Sequence, residues 1–149
     1  MIMNLVDGMK VFLASNFTLY LKTHGAHLNV TGMFFQSLHA LFQEQYEDLQ
    51  EQTDAIAEKI RELDHFAPAS LAAYQKTTVI DDFDGVMDAK GYLERLLQDN
   101  ERMLMFLDKL FAIAQTENNQ AIMNYIAERL DQHAKNRWKL RTSLNAYQG

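Results

Sequence analysis

Two histidines and two carboxylates are spaced along this chain in a pattern that suits a first-row transition metal. His27 and His39 lie twelve residues apart across a glycine-containing turn, and Asp54 and Glu58 follow further along the chain. Imidazole nitrogens and carboxylate oxygens together bind ions such as iron, manganese and zinc. These four side chains are therefore the candidate metal ligands.

The predicted helix that carries His39 also carries both carboxylates. The distance along this helix determines whether these three side chains can bind the same metal ion. Asp54 and Glu58 are four residues apart, so they lie on one face of that helix. His39 precedes Asp54 by fifteen residues, which corresponds to roughly 22 Å along a helix axis. Ligands of one metal ion lie about 2.0–2.6 Å from it. His39 and Asp54 of one chain therefore cannot share an ion.

A second copy of the chain removes this difficulty. If two copies of the helix pack antiparallel about a two-fold axis, His39 of each copy meets Asp54 and Glu58 of the other. His27 can reach the same end as His39 across the turn that contains Gly32. The spacing therefore predicts two equivalent inter-subunit metal sites in each dimer.

Plainer interpretations of these residues stay open when spacing alone is considered. A histidine near a helix end is often a capping or hydrogen-bonding residue, and an acid pair of this spacing often belongs to a solvated face. His24, His65 and His133 are assigned structural roles, because nothing in the sequence requires more of them. A di-iron centre inside a bundle needs two Glu-x-x-His strings. The chain has one, at 62–65, so a centre of that kind is excluded.

The composition limits the classes of function. The chain of 149 residues contains no cysteine, which excludes thiol catalysis, Cys-ligated zinc and iron–sulfur clusters and fits a reducing compartment. Its formal net charge of −6 opposes binding to nucleic acid, and the sequence displays neither a basic tail nor a signal peptide. No stretch approaches the ~20 apolar residues of a membrane span. We expect a soluble, cytoplasmic protein with no membrane partner.

Long helices dominate the predicted structure, because one proline and six glycines leave few helix breakers. Apolar residues recur at helical spacing in four segments. The segments are 4–28, 34–64, 87–114 and 116–146. Residues 65–85 form a long crossover with one short helix that ends near Tyr74. This order indicates an all-α, ferritin-like four-helix bundle with a short extra helix in the crossover between helices 2 and 3, and residues 1–149 are assigned to one domain.

The apolar stripes of the four segments also predict the core and the helix ends. Leu21 on the first helix and Phe35 on the second are expected to face the core. Met103 and Met105 on the third helix are expected to fill it rather than to bind metal. Thr116 is the expected N-cap of the fourth helix.

A block of residues surrounds the two histidines and continues through the acid pair. It runs over 22–32 as Lys-Thr-His-Gly-Ala-His-Leu-Asn-Val-Thr-Gly and extends through His39 to Asp54 and Glu58. This block closely resembles the Dps family of mini-ferritins, the DNA-protection proteins of starved cells. The likeness covers nearly the whole chain. It includes Phe35, Leu38, Tyr46, Leu49, 127–130, His133 and Trp138.

The resemblance implies a fold, an assembly and an activity. Members of the family are four-helix bundles with a short helix in the crossover, and they form hollow shells of twelve subunits built from two-fold dimers. They oxidise Fe(II) to Fe(III), usually with hydrogen peroxide, between two-fold-related subunits, and they store the ferric product inside. By position, His27 and His39 of one subunit and Asp54 and Glu58 of another are the implied catalytic and metal-binding residues.

The chain departs from the family pattern at three places. Gln43 stands four residues after the second histidine, where the family typically has an acidic metal ligand, and an amide oxygen is a weaker ligand for ferric iron. We therefore expect weaker iron binding or slower oxidation. Leu28 stands where a tryptophan usually follows the first histidine. The segment that resembles an iron-entry pore is rich in amides, with Glu117 and Glu128 as its remaining anions.

These observations lead to one main functional expectation and two alternatives. The main expectation is an iron-storage and detoxification mini-ferritin with ferroxidase activity at sites that Gln43 weakens. Gln43 motivates the first alternative, a non-enzymatic metal-sequestering or structural shell that prefers Zn(II). The second alternative is a DNA-compacting protein. It is opposed by charge, because twelve copies at −6 each sum to −72 formal charges.

Overall fold

The computed structural model describes residues 3–148, and within that range the chain is helical with no strand. It confirms the predicted all-α four-helix bundle and the short extra helix in the crossover. A short 3₁₀ turn, Asn145–Tyr147, follows the last helix. The helices are α1 (Leu5–Asn29), α2 (Phe35–Glu62), α3 (Leu71–Thr77), α4 (Ala89–Thr116) and α5 (Gln120–Leu144).

Side-chain caps fix where most of the helices begin. The Asn4 side chain accepts a hydrogen bond from the Asp7 backbone N–H at the start of α1. Asn119 caps α5 in the same way. The expectation that Thr116 caps this helix is wrong, since Thr116 is the last residue of α4. Asn118, with a φ of 56°, turns the chain between the two helices, because asparagine tolerates the left-handed conformation.

Two helical hairpins, α1–α2 and α4–α5, form the bundle. Leu5, the first residue of α1, contacts Glu117 just after the end of α4, and Lys22 near the other end of α1 pairs with Asp99. Since residue numbers rise along α1 as they fall along α4, the two helices run antiparallel. The crossover 63–88 returns the chain along the bundle, which makes α4 parallel to α2. It is fastened to α1 by the backbone N–H of Val79, which donates to the Ser15 hydroxyl at 2.9 Å.

The core lies between the two hairpins, and most of the predicted apolar stripe is buried there. Leu21 is an exception at 51% exposed, because it lies two residues, or about 200°, from the buried Leu19. Met105 is 64% exposed for the same reason relative to the buried Met103. Phe35 is also 40% exposed, since it lies at the first turn of α2, beside the loop rather than inside the bundle.

A polar cluster is buried within this core. His133 is fully buried, and its Nδ1 lies 2.9 Å from Oδ1 of Asn100. Burial and the nearby Arg129 charge lower the pKa of His133 to about 3, so the imidazole is neutral at physiological pH. This environment agrees with the structural role expected for His133.

The part of the chain that the structure describes contains no candidate for a membrane-spanning helix. None of its helices combines the length and the apolar character that crossing a bilayer requires.

Candidate metal centre

His27 and His39 come together where the α1–α2 hairpin turns. His27 lies in the last turn of α1 and His39 in the second turn of α2. The connection between them is short because Gly32 adopts a φ of 109°, a conformation that side chains disfavour. The two imidazole rings stack with their centroids 3.7 Å apart and their planes 16° from parallel. We call these two residues the histidine pair.

The two histidines are held by reciprocal hydrogen bonds. Nδ1 of His27 donates to the backbone carbonyl of His39 at 2.8 Å, and Nδ1 of His39 donates to the carbonyl of His27 at 2.8 Å. A carbonyl oxygen can only accept, so each Nδ1 carries a hydrogen and each neutral ring keeps its lone pair on Nε2. Hydrogen bonds of this kind orient histidine ligands and raise their basicity. The histidine pair therefore offers two preorganised Nε2 donors.

Asp54 and Glu58, which we call the acid pair, lie on the exposed surface of α2. The same uninterrupted helix carries His39, so the axial separation of roughly 22 Å stands. Among residues 3–148 of one protomer, no group of three or more histidine, aspartate or glutamate side chains lies close enough to hold a metal ion. One protomer thus presents two separate sets of candidate ligands, one toward each end of α2, and we call these sets the half-sites.

The surface of α2 between the half-sites carries Gln43 and several carboxylates. Gln43 is exposed, and its Nε2 donates to Oε1 of Glu47 at 2.8 Å. The amide oxygen of Gln43 is left free by this bond. Glu44 turns away from this surface and pairs with Lys139 at 2.8 Å. Of the two nearby glutamates, Glu47 is therefore the one that faces the same side as Gln43.

Glu117, which was expected to contribute charge to a pore, has a local structural partner. Its Oε2 accepts a hydrogen bond from the backbone N–H of Leu5 at 2.7 Å. A carboxylate at a helix N-terminus satisfies a free N–H and interacts favourably with the helix dipole. Glu117 therefore links the first turn of α1 to the end of α4.

Aromatic side chains pack behind the histidine pair, and sequence reasoning had given them no functional role. Tyr46 contacts His27 edge to face at 5.0 Å and stacks on His24 at 4.3 Å. Phe35 stacks on His39 at 5.0 Å. The signal that could have found them is spacing, since Tyr20 precedes His24, and Phe35 precedes His39, by one helical turn.

The chain resembles known proteins along almost its full length. A family model for the ferritin-like domain matches residues 10–148. A low temperature-induced protein of Nostoc sp. is 31% identical over 134 residues, which are 89% of this chain and 75% of that protein. DNA protection during starvation protein 2 of Bacillus anthracis is 30% identical over 127 residues, which are 85% of this chain and 87% of that protein.

The fold also matches solved structures. A Dps protein of Vibrio cholerae O1 shares 26% identity and aligns with a TM-score of 0.90, over 94% of this chain and 88% of that one. That protein is described as a member of a broad superfamily of ferritin-like diiron-carboxylate proteins. The similarity in fold therefore extends over nearly the whole bundle.

Proposed function

Since this chain belongs to the Dps family of the ferritin-like superfamily, we propose that it oxidises Fe(II) and stores the ferric product. Family membership supports iron storage and protection as the general function. The observation that supports a ferroxidase reaction is the histidine pair, whose Nδ1 atoms are both engaged and whose Nε2 atoms are both available. Two such donors, preorganised in one protomer, form half of an iron site.

The other half of the site comes from a second subunit in this proposal. His27 and His39 bind substrate Fe(II) together with Asp54 and Glu58 of the partner subunit. Two carboxylates stabilise Fe(III) more than Fe(II), because the attraction grows with the charge of the ion. With two Fe(II) ions bound, hydrogen peroxide takes one electron from each, its O–O bond breaks, and two protons complete two water molecules. No hydroxyl radical is released.

The proposed assembly is a homo-oligomer built from two-fold dimers, and twelve subunits would close a shell around the stored iron. The exposed surface of α2 is the dimer contact, because antiparallel packing brings the histidine pair of each subunit to the acid pair of the other. Iron and peroxide are the proposed small-molecule partners, and the proposed location is the cytoplasm. Binding to DNA is not proposed, because the net charge of −6 per chain opposes it.

The first test measures iron oxidation directly. Fe(II) is added without oxygen, peroxide follows, and the ferric absorbance is recorded for the wild type and for a His27→Ala/Asp54→Ala variant. We expect the variant to be slower by on the order of 10- to 100-fold, since each site loses ligands from both subunits. His65→Ala, which changes an exposed histidine outside the site, is the control and should match the wild type. Equal rates in all three proteins would contradict the proposal.

A metal-sequestering or structural shell without turnover is the second candidate function. Gln43 favours it, because a neutral amide replaces a negative ligand beside the histidine pair. Titration with Zn(II) distinguishes the two candidates when it is combined with the peroxide assay. Stoichiometric Zn(II) binding that depends on His27, together with no oxidation of Fe(II), would support the shell.

Gln43→Asp is expected to speed iron oxidation several-fold, because it restores a negative oxygen ligand for ferric iron. Gln75→Asp adds the same charge on α3 rather than on α2, and it should leave the rate unchanged. Initial rates with limiting peroxide provide the measurement. If the two variants oxidise iron at the same rate, the amide does not limit the reaction.

A further inference from the structure

Gln43 and Glu47 form a hydrogen-bonded pair on the surface of α2, beginning one helical turn after His39. Nε2 of Gln43 donates to Oε1 of Glu47 at 2.8 Å, and residues four apart on a helix are neighbours on one face. His39 precedes Gln43 by the same four residues. The three side chains therefore follow one another along one side of α2, with Gln43 in the middle.

The carboxylate of Glu47 determines which end of the Gln43 amide faces it. A carboxylate only accepts hydrogen bonds, whereas an amide has a donor nitrogen and an acceptor oxygen. If the amide were reversed, two oxygens would face each other with no hydrogen between them. Glu47 therefore selects the orientation in which Oε1 of Gln43 points away from the carboxylate and keeps its lone pairs for a cation.

This arrangement makes the Gln43 amide a better metal ligand than a freely rotating amide would be. A freely rotating amide also turns its NH₂ group toward a cation, and that group donates hydrogen bonds only. The hydrogen bond to a negative carboxylate polarises the amide and increases the negative charge on its oxygen. Among residues 3–148, no ion pair with lysine or arginine includes Glu47. Its charge is therefore available to act on the amide.

We propose that Glu47 is a positioning residue for the metal site, which holds the Gln43 amide with Oε1 as a ligand beside the histidine pair. This inference rests on the ferroxidase site proposed above and extends it. Gln43 supplies the ligand oxygen, and Glu47 supplies the negative charge one helical turn further away. The two residues together replace an acidic ligand. They replace it incompletely, because the attraction between charges falls with distance.

Binding of Co(II) without an oxidant tests this role separately from iron oxidation. Calorimetry gives the dissociation constant, and the visible absorption of bound Co(II) reports the number and kind of its ligands. We expect Glu47→Ala to weaken Co(II) binding by about tenfold, because residues that orient metal ligands contribute on this scale. Its Co(II) spectrum should match that of Gln43→Ala, since the amide oxygen is no longer held on the ion in either variant.

A double-mutant cycle determines whether Glu47 acts through Gln43. If it does, Gln43→Ala/Glu47→Ala binds Co(II) no more weakly than Gln43→Ala alone. Losses that simply add would show that Glu47 acts on the ion independently of the amide, and they would overturn the positioning role. Glu44→Ala is the matched control, because it removes a carboxylate from the same helix that pairs with Lys139 instead. Its dissociation constant should equal that of the wild type.

Glu47→Gln keeps the size of the side chain and provides a second variant if Glu47→Ala does not assemble, as judged by light scattering. Its amide can donate as well as accept, so it no longer selects one orientation of Gln43, and Co(II) should bind severalfold more weakly. Wild-type affinity and spectrum in this variant would overturn the role of Glu47 and leave the ferroxidase function standing.

The wild type separates this inference from the function on which it rests. If the wild type binds Co(II) and the variants follow the expected pattern, but Fe(II) is not oxidised, the ferroxidase function fails and the role of Glu47 as a positioning residue stands. If the wild type binds no Co(II), there is no site for Gln43 to serve, and both proposals fail.

Discussion

Two inactive variants are expected to regain about a quarter of the wild-type iron oxidation rate when they are unfolded together and refolded as a mixture. The first variant, His27→Ala/His39→Ala, lacks the histidine pair, and the second, Asp54→Ala/Glu58→Ala, lacks the acid pair. In a mixed dimer, the intact histidine pair of one subunit faces the intact acid pair of the other. The second site of the same dimer lacks both pairs.

The expected fraction follows from random pairing. About half of the dimers are mixed, and one of the two sites in each mixed dimer is complete. The control mixes the first variant with a chain that lacks all four residues, a combination in which no pairing gives a complete site. Ferric absorbance at equal protomer concentration is the measurement. A mixture that stays as inactive as its control would show that the two half-sites do not combine between subunits.

The axial distance behind that experiment could be predicted from the sequence alone. Few helix breakers and a long apolar periodicity predict an uninterrupted second helix, and the structure has one from Phe35–Glu62. A helix has a fixed rise per residue, so the separation of His39 from Asp54 follows without knowledge of tertiary structure. Local rules suffice wherever the quantity depends on one element only.

Helix ends and helix faces were predicted less well, for two physical reasons. Several residues near 116–119 can cap a helix, and in the structure Asn119 rather than Thr116 is the cap. Leu21 is apolar, but its angle about α1 places it opposite the buried Leu19. The predicted stripe advances mainly in steps of four residues, whereas a helical turn has 3.6 residues, so the stripe rotates gradually away from the buried face. Hydrophobicity alone does not reveal this error.

The detailed arrangement at the candidate metal centre was beyond sequence reasoning. The Nδ1 atoms of the histidine pair bond to backbone carbonyls, and those carbonyls face the rings only because the hairpin turns as it does at Gly32. Tyr46 and His24 come from different helices, so their stacking depends on how α1 and α2 pack. Features that depend on two elements at once need the assembled hairpin.

The contacts between α2 and α5 also depend on two helices at once. Breaking one of them is expected to cause the largest change in stability. Arg129 is only 4% exposed, yet its guanidinium carries a full charge. Its Nη1 and Nη2 donate to the two carboxylate oxygens of Asp48 at 3.0 and 2.8 Å. Asp48 lies on α2 between His39 and Asp54, and Arg129 lies on α5. The bidentate pair therefore fixes the part of α2 that separates the two half-sites.

Asp48→Ala is expected to lower the free energy of unfolding by about 3–5 kcal/mol, because it leaves the buried Arg129 charge without a partner. Urea denaturation at fixed protomer concentration measures the change. Glu94→Ala removes one partner of the exposed Lys90–Glu94 pair, in which both side chains are 49% exposed, and should cost less than about 1 kcal/mol.

Replacing both partners separates the cost of an unpaired charge from the value of the ion pair itself. Asp48→Leu/Arg129→Met buries no charge at this position, and we expect it to recover most of the stability that Asp48→Ala loses. If the double variant is as unstable as Asp48→Ala, the loss comes from packing between α2 and α5. If Asp48→Ala has the same midpoint of urea denaturation as the wild type, water solvates the Arg129 guanidinium once its partner is removed. The ion pair then does not fix α2 against α5.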